Sequence, residues 1–195
     1  MIELWYPVNP LGINQKFGEN SLPFYKEIGL KGHNGIDFYA PDGWLVRATH
    51  AGTITYAGED GSGGLTVVIR TEETYEYKGE QVYFKTIYCH LKKGTFVVIA
   101  GQKVLAGDVL AQADNTGMST GSHLHFGLKP VAKGEADWQW FNFEQDNGYL
   151  GAIDPLPYFN GKYAEEAWNL RQQISVLAKI VEALQKLVGL STGKS

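Results

Sequence analysis

The 195-residue sequence predicts a mostly β domain, an antiparallel sheet or sandwich, followed by one amphipathic α-helix. Three observations carry that expectation. Aromatics make up 13% of the residues and there are 24 glycines, a balance that favours strands and turns. From Leu45 onward, short β-rich runs alternate with glycine turn signals. After Gly161 the apolar period switches to the 3-4 spacing of a heptad seam.

In chain order, the runs "LVRATHAGTITYAG" and "GGLTVVIRT" span Leu45 to Thr71. "QVYFKTIYCHL" (81–91), "GTFVVIAGQKV" (94–104) and "HLHFGLKPV" (123–131) continue in the same style. In "TIYCHL", alternation puts Tyr88 and His90 on one face and Ile87, Cys89 and Leu91 on the other, expected to face the core. Cys89 then reads as a small buried hydrophobe. The segment 132–153 is aromatic and poorly periodic, which predicts a long loop or an inserted hairpin. Two prolines in "IDPLPYF" (153–159) forbid a central strand there and close the body. The organisation expected is a body, 1–160, and a helical appendage, 161–195.

In the appendage, Tyr163, Leu170, Leu177 and Leu184 take the d positions and Ala167, Ile174, Val181 and Val188 the a positions. β-branched a residues with leucine at d favour a parallel pair of helices, so residues 163–188 are expected to self-associate, the alternatives being packing onto the body and binding of a foreign partner. Ile180 and Leu187 at g widen the stripe towards a larger bundle or a docking face, and Trp168 at b is stranded unless the helix base leans on the body. Gly189 reads as the cap.

The formal net charge of −4 argues against non-specific nucleic-acid binding. No run of 18 apolar residues offers a membrane span. The opening "MIELWYPVNP" shows no signal-peptide pattern. A lone cysteine excludes an intramolecular disulfide.

Chemistry concentrates in two fragments. In "GSHLHFG", His123 and His125 share a strand face, where two imidazoles can reach one metal, or one metal and one reacting group. In "GHNGIDFYAP", a glycine turn leading into a strand lets His33 and Asp37 converge. Imidazole and carboxylate suit zinc, and three protein ligands with an open fourth position mark a catalytic site. Spacing alone does not say which of His123 and His125 binds metal.

The ordered blocks "INQKFGEN", "GHNGIDF", "YCHL", "NTGMSTGSHLHFG" and "IDPLPYF" resemble the lysostaphin/LytM-type zinc endopeptidases of bacterial cell walls. The resemblance runs from about Gly12 to Phe159. It implies one zinc per chain on His33, Asp37 and His125, with His90 and His123 as catalytic histidines off the metal. It implies peptidoglycan as the partner, a place of action at the wall (extracytoplasmic or virion-associated), and a phage-type lysin as one source. Ser122 stands where that family often has proline, and 132–153 is longer than its usual link. The rival readings are an idle wall-binding or activator module, in which the metal set is usually degraded, and a structural virion component.

His50 falls outside every block and reads as a surface or supporting residue. The tail "STGKS" imitates a phosphate loop but lacks its first glycine, position 188 being valine.

Overall fold

The computed structural model describes residues 1–21, 23–135 and 139–188. Its strands are β1 (Leu4–Tyr6), β2 (Ile13–Gln15), β3 (Ile36–Tyr39), β4 (Leu45–Arg47), β5 (Gly52–Asp60), β6 (Gly64–Arg70) and β7 (Tyr75–Tyr77). They continue with β8 (Glu80–Leu91), β9 (Lys103–Val104), β10 (Val109–Gln112), β11 (His123–Lys133), β12 (Trp140–Asn142) and β13 (Phe159–Tyr163). A single turn of helix, α1 (Phe24–Glu27), follows β2, and α2 (Ala164–Val188) follows β13. Trp138, Gly189 and the "STGKS" tail lie outside the described residues.

The main sheet runs β2-β3-β11-β8-β6-β5-β9, antiparallel at each pairing, with β12 beside β11 and β7 beside β8. This is the mostly β architecture that the glycine-punctuated runs predict. Alternation sends Leu124, Phe126 and Leu128 of β11, with Phe84 and Tyr88 of β8, to one face. There they meet Leu4, Phe38, Val46 and Leu110 in a single core. The opposite face carries His123, His125, Gly127 and Lys129 of β11.

Two expectations need correction. In β8 it is Tyr88, not Cys89, that enters the core, packing its ring on Phe126 at 5.3 Å. Cys89 lies directly across from His125 on the other face and is buried there, beside Gly63 and Thr66. His90 has φ +61°, a left-handed backbone that breaks the two-residue alternation and returns its ring to the His125 face. The run 94–104 is a loop apart from β9. Gly94 (φ +77°) and Gly101 (φ +87°) turn the chain at either end, and Val97 N–H bonds the Leu110 carbonyl instead of joining a ladder.

The segment 132–153 contains a hairpin arm: β12 returns antiparallel along β11, with Lys133 opposite Trp140. At the other end, a cut after residue 160 would fall inside β13, which pairs in parallel with β1. The first turns of α2 also lean on the body. Ala164 and Ala167 are buried, and Arg171 bonds the Ala106 carbonyl and the Asp108 carboxylate. Gly107, at φ +91°, lies so close that a Cβ there would meet the backbone of Ala164 and Trp168. Arg47 covers the Trp168 ring at 5.6 Å, so that aromatic is not stranded.

Candidate metal centre and catalytic groove

Asp37 on β3 lies directly opposite His125 on β11, which sets the carboxylate against the imidazole across one ladder. His33 reaches the same point from the turn before β3. That turn is clamped by the "FG" block: Gly18 N–H bonds the His33 carbonyl and His33 N–H bonds the Glu19 carbonyl, each at 2.8 Å. Gly32 lies so close to the Gly18 carbonyl that a Cβ would stand 2.6 Å from it. Two sequence blocks far from "HLH" thus combine to aim one imidazole.

Three ligand atoms converge. His33 Nε2 lies 2.9 Å from His125 Nδ1 and 3.1 Å from Asp37 Oδ1, and His125 Nδ1 lies 3.0 Å from the same oxygen. Among the described residues this is the one group of three His, Cys, Asp or Glu side chains gathered in this way. A tetrahedral zinc with bonds of about 2.0–2.1 Å spaces its ligand atoms by about 3.3 Å, close to this triangle. The donor chemistry fits as well. His33 Nδ1–H donates to the Lys16 carbonyl at 3.2 Å, which leaves Nε2 a bare lone pair. Asp37, ionised, only accepts. One N–H from His125 cannot satisfy all three contacts, whereas a cation at the centre can.

Burial alone would raise the Asp37 carboxyl pKa, but the adjoining His125 and His33 imidazoles outweigh it and hold the group well below the usual carboxylate range. Burial pulls the His125 pKa down. Both shifts favour the anionic carboxylate and neutral imidazole that metal binding needs.

His90 and His123 flank the triangle. Their rings are 4.7 Å apart, and His90 lies 6.1 Å from His125. His90 Nδ1–H donates to the Thr116 carbonyl at 2.7 Å, and His123 Nδ1–H to the Gly121 carbonyl at 2.8 Å. Each neutral ring therefore presents Nε2 as its free acceptor. His123 Nε2 is 3.6 Å from Asp37 Oδ1. Burial pushes the His90 pKa down to about 4, so this ring is neutral at neutral pH. Ser122, in place of the family's proline, gives its hydroxyl proton to the Ala40 carbonyl.

Gly35 plays a part that the sequence reading passed over. A Cβ there would stand 2.5 Å from the Phe126 carbonyl oxygen and 2.7 Å from His125 Cε1. A glycine between His33 and Asp37 leaves the space that the His125 ring occupies. The carbonyl anchors at Lys16, Thr116 and Gly121 were also missed, because a backbone acceptor has no residue signature. His50 stands apart. Of the two readings, surface or supporting, burial leaves the second: it bonds Thr86 at 2.9 Å within a network that includes Tyr88 and Thr49.

The profile of peptidase family M23 matches residues 31–137. A DD-carboxypeptidase/endopeptidase, Mpg, from Neisseria meningitidis serogroup B is 39% identical over 114 residues, covering 58% of this chain and 23% of that protein. The chain thus spans about a quarter of the length of the curated relatives it matches. The lysostaphin catalytic domain from Staphylococcus simulans superposes with a TM-score of 0.55 at 26% identity, covering 77% of this chain and 92% of that one. A zinc-containing peptidase from Vibrio cholerae gives 0.51 at 26% identity, over 77% of this chain and 40% of that one.

Proposed function

The chain belongs to peptidase family M23, and from that premise we propose that it is a zinc-dependent endopeptidase cutting peptide cross-bridges or stem peptides of bacterial peptidoglycan. The observation that carries the reading is the triangle of His33 Nε2, Asp37 Oδ1 and His125 Nδ1 with two further imidazoles beside it. Its place of action is then the bacterial wall, reached by export or as part of a virion.

His33, Asp37 and His125 would hold one zinc per chain, which supplies Lewis acidity towards a carbonyl oxygen and towards water. The remaining chemistry falls to residues off the metal. A neutral ring with a bare Nε2 takes a proton from the attacking water as the water oxygen bonds to the carbonyl carbon. The same ring then gives that proton to the amine nitrogen as the C–N bond breaks. The second ring, once protonated, donates a hydrogen bond to the oxyanion that forms in between. The low pKa of His90 suits it to the neutral form. His123, whose Nε2 lies 3.6 Å from Asp37 Oδ1, is the second ring beside the triangle. No serine or cysteine nucleophile is required, and Cys89, whose thiol pKa burial pushes up to about 11, is unsuited to act as one.

The test is a digest of purified walls of several chemotypes, with mass analysis of the fragments and metal analysis of the same preparation. Release of new peptide amines in a chelator-sensitive reaction is the expected result. Walls left intact by the zinc-loaded chain would overturn the reading.

A further inference from the structure

Four residues beyond His125 on the same face of β11 stands Lys129. Lys85 of β8 lies directly opposite it, and Arg70 of β6 lies directly opposite Lys85. Three cations thus form a row across three adjacent strands, on the face of the sheet that carries His125. Like charges directly opposite one another destabilise a sheet, so such a row is a cost unless something anionic occupies it. Asp60 acts on Lys129, and Glu72 on Arg70, only through space. Among the described residues, no carboxylate forms an ion pair with Lys129, Lys85 or Arg70. The direct partners of Glu72 are Lys103 and Thr53, not Arg70.

Three further observations point the same way. Arg70 Nε is buried and has no hydrogen-bond acceptor. The guanidinium is kept in place by stacking, with Trp140 at 4.0 Å and Tyr83 at 6.0 Å, so it is pre-organised rather than free. Arg70, Lys85, Trp140, Tyr56 and Thr55 also line a cleft of about 560 Å³. Burial lowers the pKa of Lys85, and Arg70 lowers it further. Burial lowers that of Lys129, and Lys85 lowers it further.

We propose that Lys129, Lys85 and Arg70 form a carboxylate-binding subsite of the cleavage groove, so that the peptide cut by this chain bears a free carboxylate near the scissile bond. Four residues of strand put Lys129 about 13 Å from the ligand His125. That distance is the reach of a few residues of extended peptide. The inference rests on the peptidase reading and sharpens it: an acidic stem peptide fits this groove, and an uncharged glycine bridge leaves the row unpaired. The carboxylate has two sources, a side branch of an acidic residue or the free C-terminus of a stem.

The test compares kcat/KM on a cross-linked wall peptide carrying free carboxylates with matched peptides in which either the side branch or the C-terminus is a carboxamide. An oligoglycine-bridged peptide is the third class. The free acid is expected to be preferred by roughly ten- to hundredfold, the worth of one charge-assisted hydrogen bond. The carboxamide that loses this preference identifies the source. Lys129→Met and Lys85→Met should pull the acid-to-amide ratio towards one, and Lys85→Glu should carry it below one, with zinc content retained in each. Equal turnover of acid and amide by the parent chain, or preference for oligoglycine, overturns the subsite and leaves the peptidase reading standing. A fall in melting temperature with equal loss on both peptides would mark the cations as structural and also overturn it. Binding of the same peptides is followed in parallel by NMR of the lysine side chains. Carboxylate-dependent binding with no cleavage of any wall peptide would keep the subsite and remove the peptidase reading.

Discussion

In β11, Leu124, Phe126 and Leu128 are fully buried, whereas Leu170, Ile174, Leu177 and Leu184 of α2, no less apolar, are each more than half exposed. The body satisfies its own sequence: alternation gives one face to the core and the other to the histidines. The helix satisfies only its first turns, through Ala164, Ala167 and the Arg171 contacts to Ala106 and Asp108. Beyond Arg171 the described seam residues Ile174, Leu177, Val181 and Leu184 are exposed, and a stripe of that length kept apolar in water is unusual for a helix with no partner. The contrast separates two tasks. The candidate site draws its residues from the body, while the distal helix exposes apolar side chains that the described body leaves uncovered. Changes in one should therefore leave the readout of the other alone.

The largest effects are expected in the body. Asp37→Ala or His125→Ala should abolish zinc binding and with it several kcal/mol of transition-state stabilisation, roughly 10⁴-fold in turnover. Metal analysis beside the rate assay checks this, and full zinc occupancy in either variant would sink the ligand assignment. His90→Ala and His123→Ala should keep the metal and lose roughly 10²–10⁴-fold, the usual worth of acid–base help. Loss of zinc from His123→Ala would instead exchange the roles of His123 and His125. In every one of these variants the association state should equal that of the parent chain. A changed oligomer would break the division between body and helix.

How far the sequence reveals these arrangements depends on whether the deciding contact is local. The shared face of His123 and His125 follows from a two-residue period, and the helix from its 3-4 spacing. That the His33–Asp37 fragment meets His125 depends on β3 pairing with β11, 88 residues apart in the chain, and no local spacing contains it. The β8 faces were read inverted because one residue, His90 at φ +61°, departs from alternation. Left-handed histidine is uncommon and leaves no mark in composition. The sequence leaves His50 open between a surface and a supporting residue because its partner, Thr86, lies 36 residues away. The ordered family blocks reached further than periodicity because they bundle such non-local pairings into one pattern.

Within the helix, the expected effect is a change of mass rather than of rate. We propose that residues 163–188 pair two copies of this chain through the exposed a and d positions. A chain ending at Arg171 keeps β13, the buried alanines and the arginine contacts, so its body should stay folded. Light scattering should give at least twice the monomer mass for the full chain and the monomer mass for the shortened one. Hydrolysis of a soluble wall peptide should differ between them by less than about twofold. If both run as monomers, self-association is wrong. If the mass is well above a dimer, the widening of the stripe by Ile180 decides the assembly.

The smallest effect concerns acid, and it also divides the two regions, since residues 164–188 contain no histidine. His50 is buried in the body, donating Nδ1–H to the Ala51 carbonyl and meeting the Thr86 hydroxyl at Nε2, and burial depresses its pKa from 6.5 to about 4. The unfolded chain therefore binds a proton near pH 6.5 that the folded chain refuses until about pH 4. Stability from this group is fully present above pH 6.5 and is lost as pH falls towards 4. At pH 5 the loss should be of the order of 1–2 kcal/mol, a few degrees of melting temperature in a domain of this size. Measuring with a chelator present keeps the ligand set metal-free in both chains compared, so the difference isolates His50. In His50→Gln the decline in Tm between pH 6.5 and 5 should be shallower than in the parent, even though the variant starts lower for want of the Thr86 contact. Equal slopes would mean that the acid sensitivity of the body lies elsewhere. A fall in oligomer mass over the same window, before the body unfolds, would show that the helix seam depends on the body more closely than its exposed leucines imply.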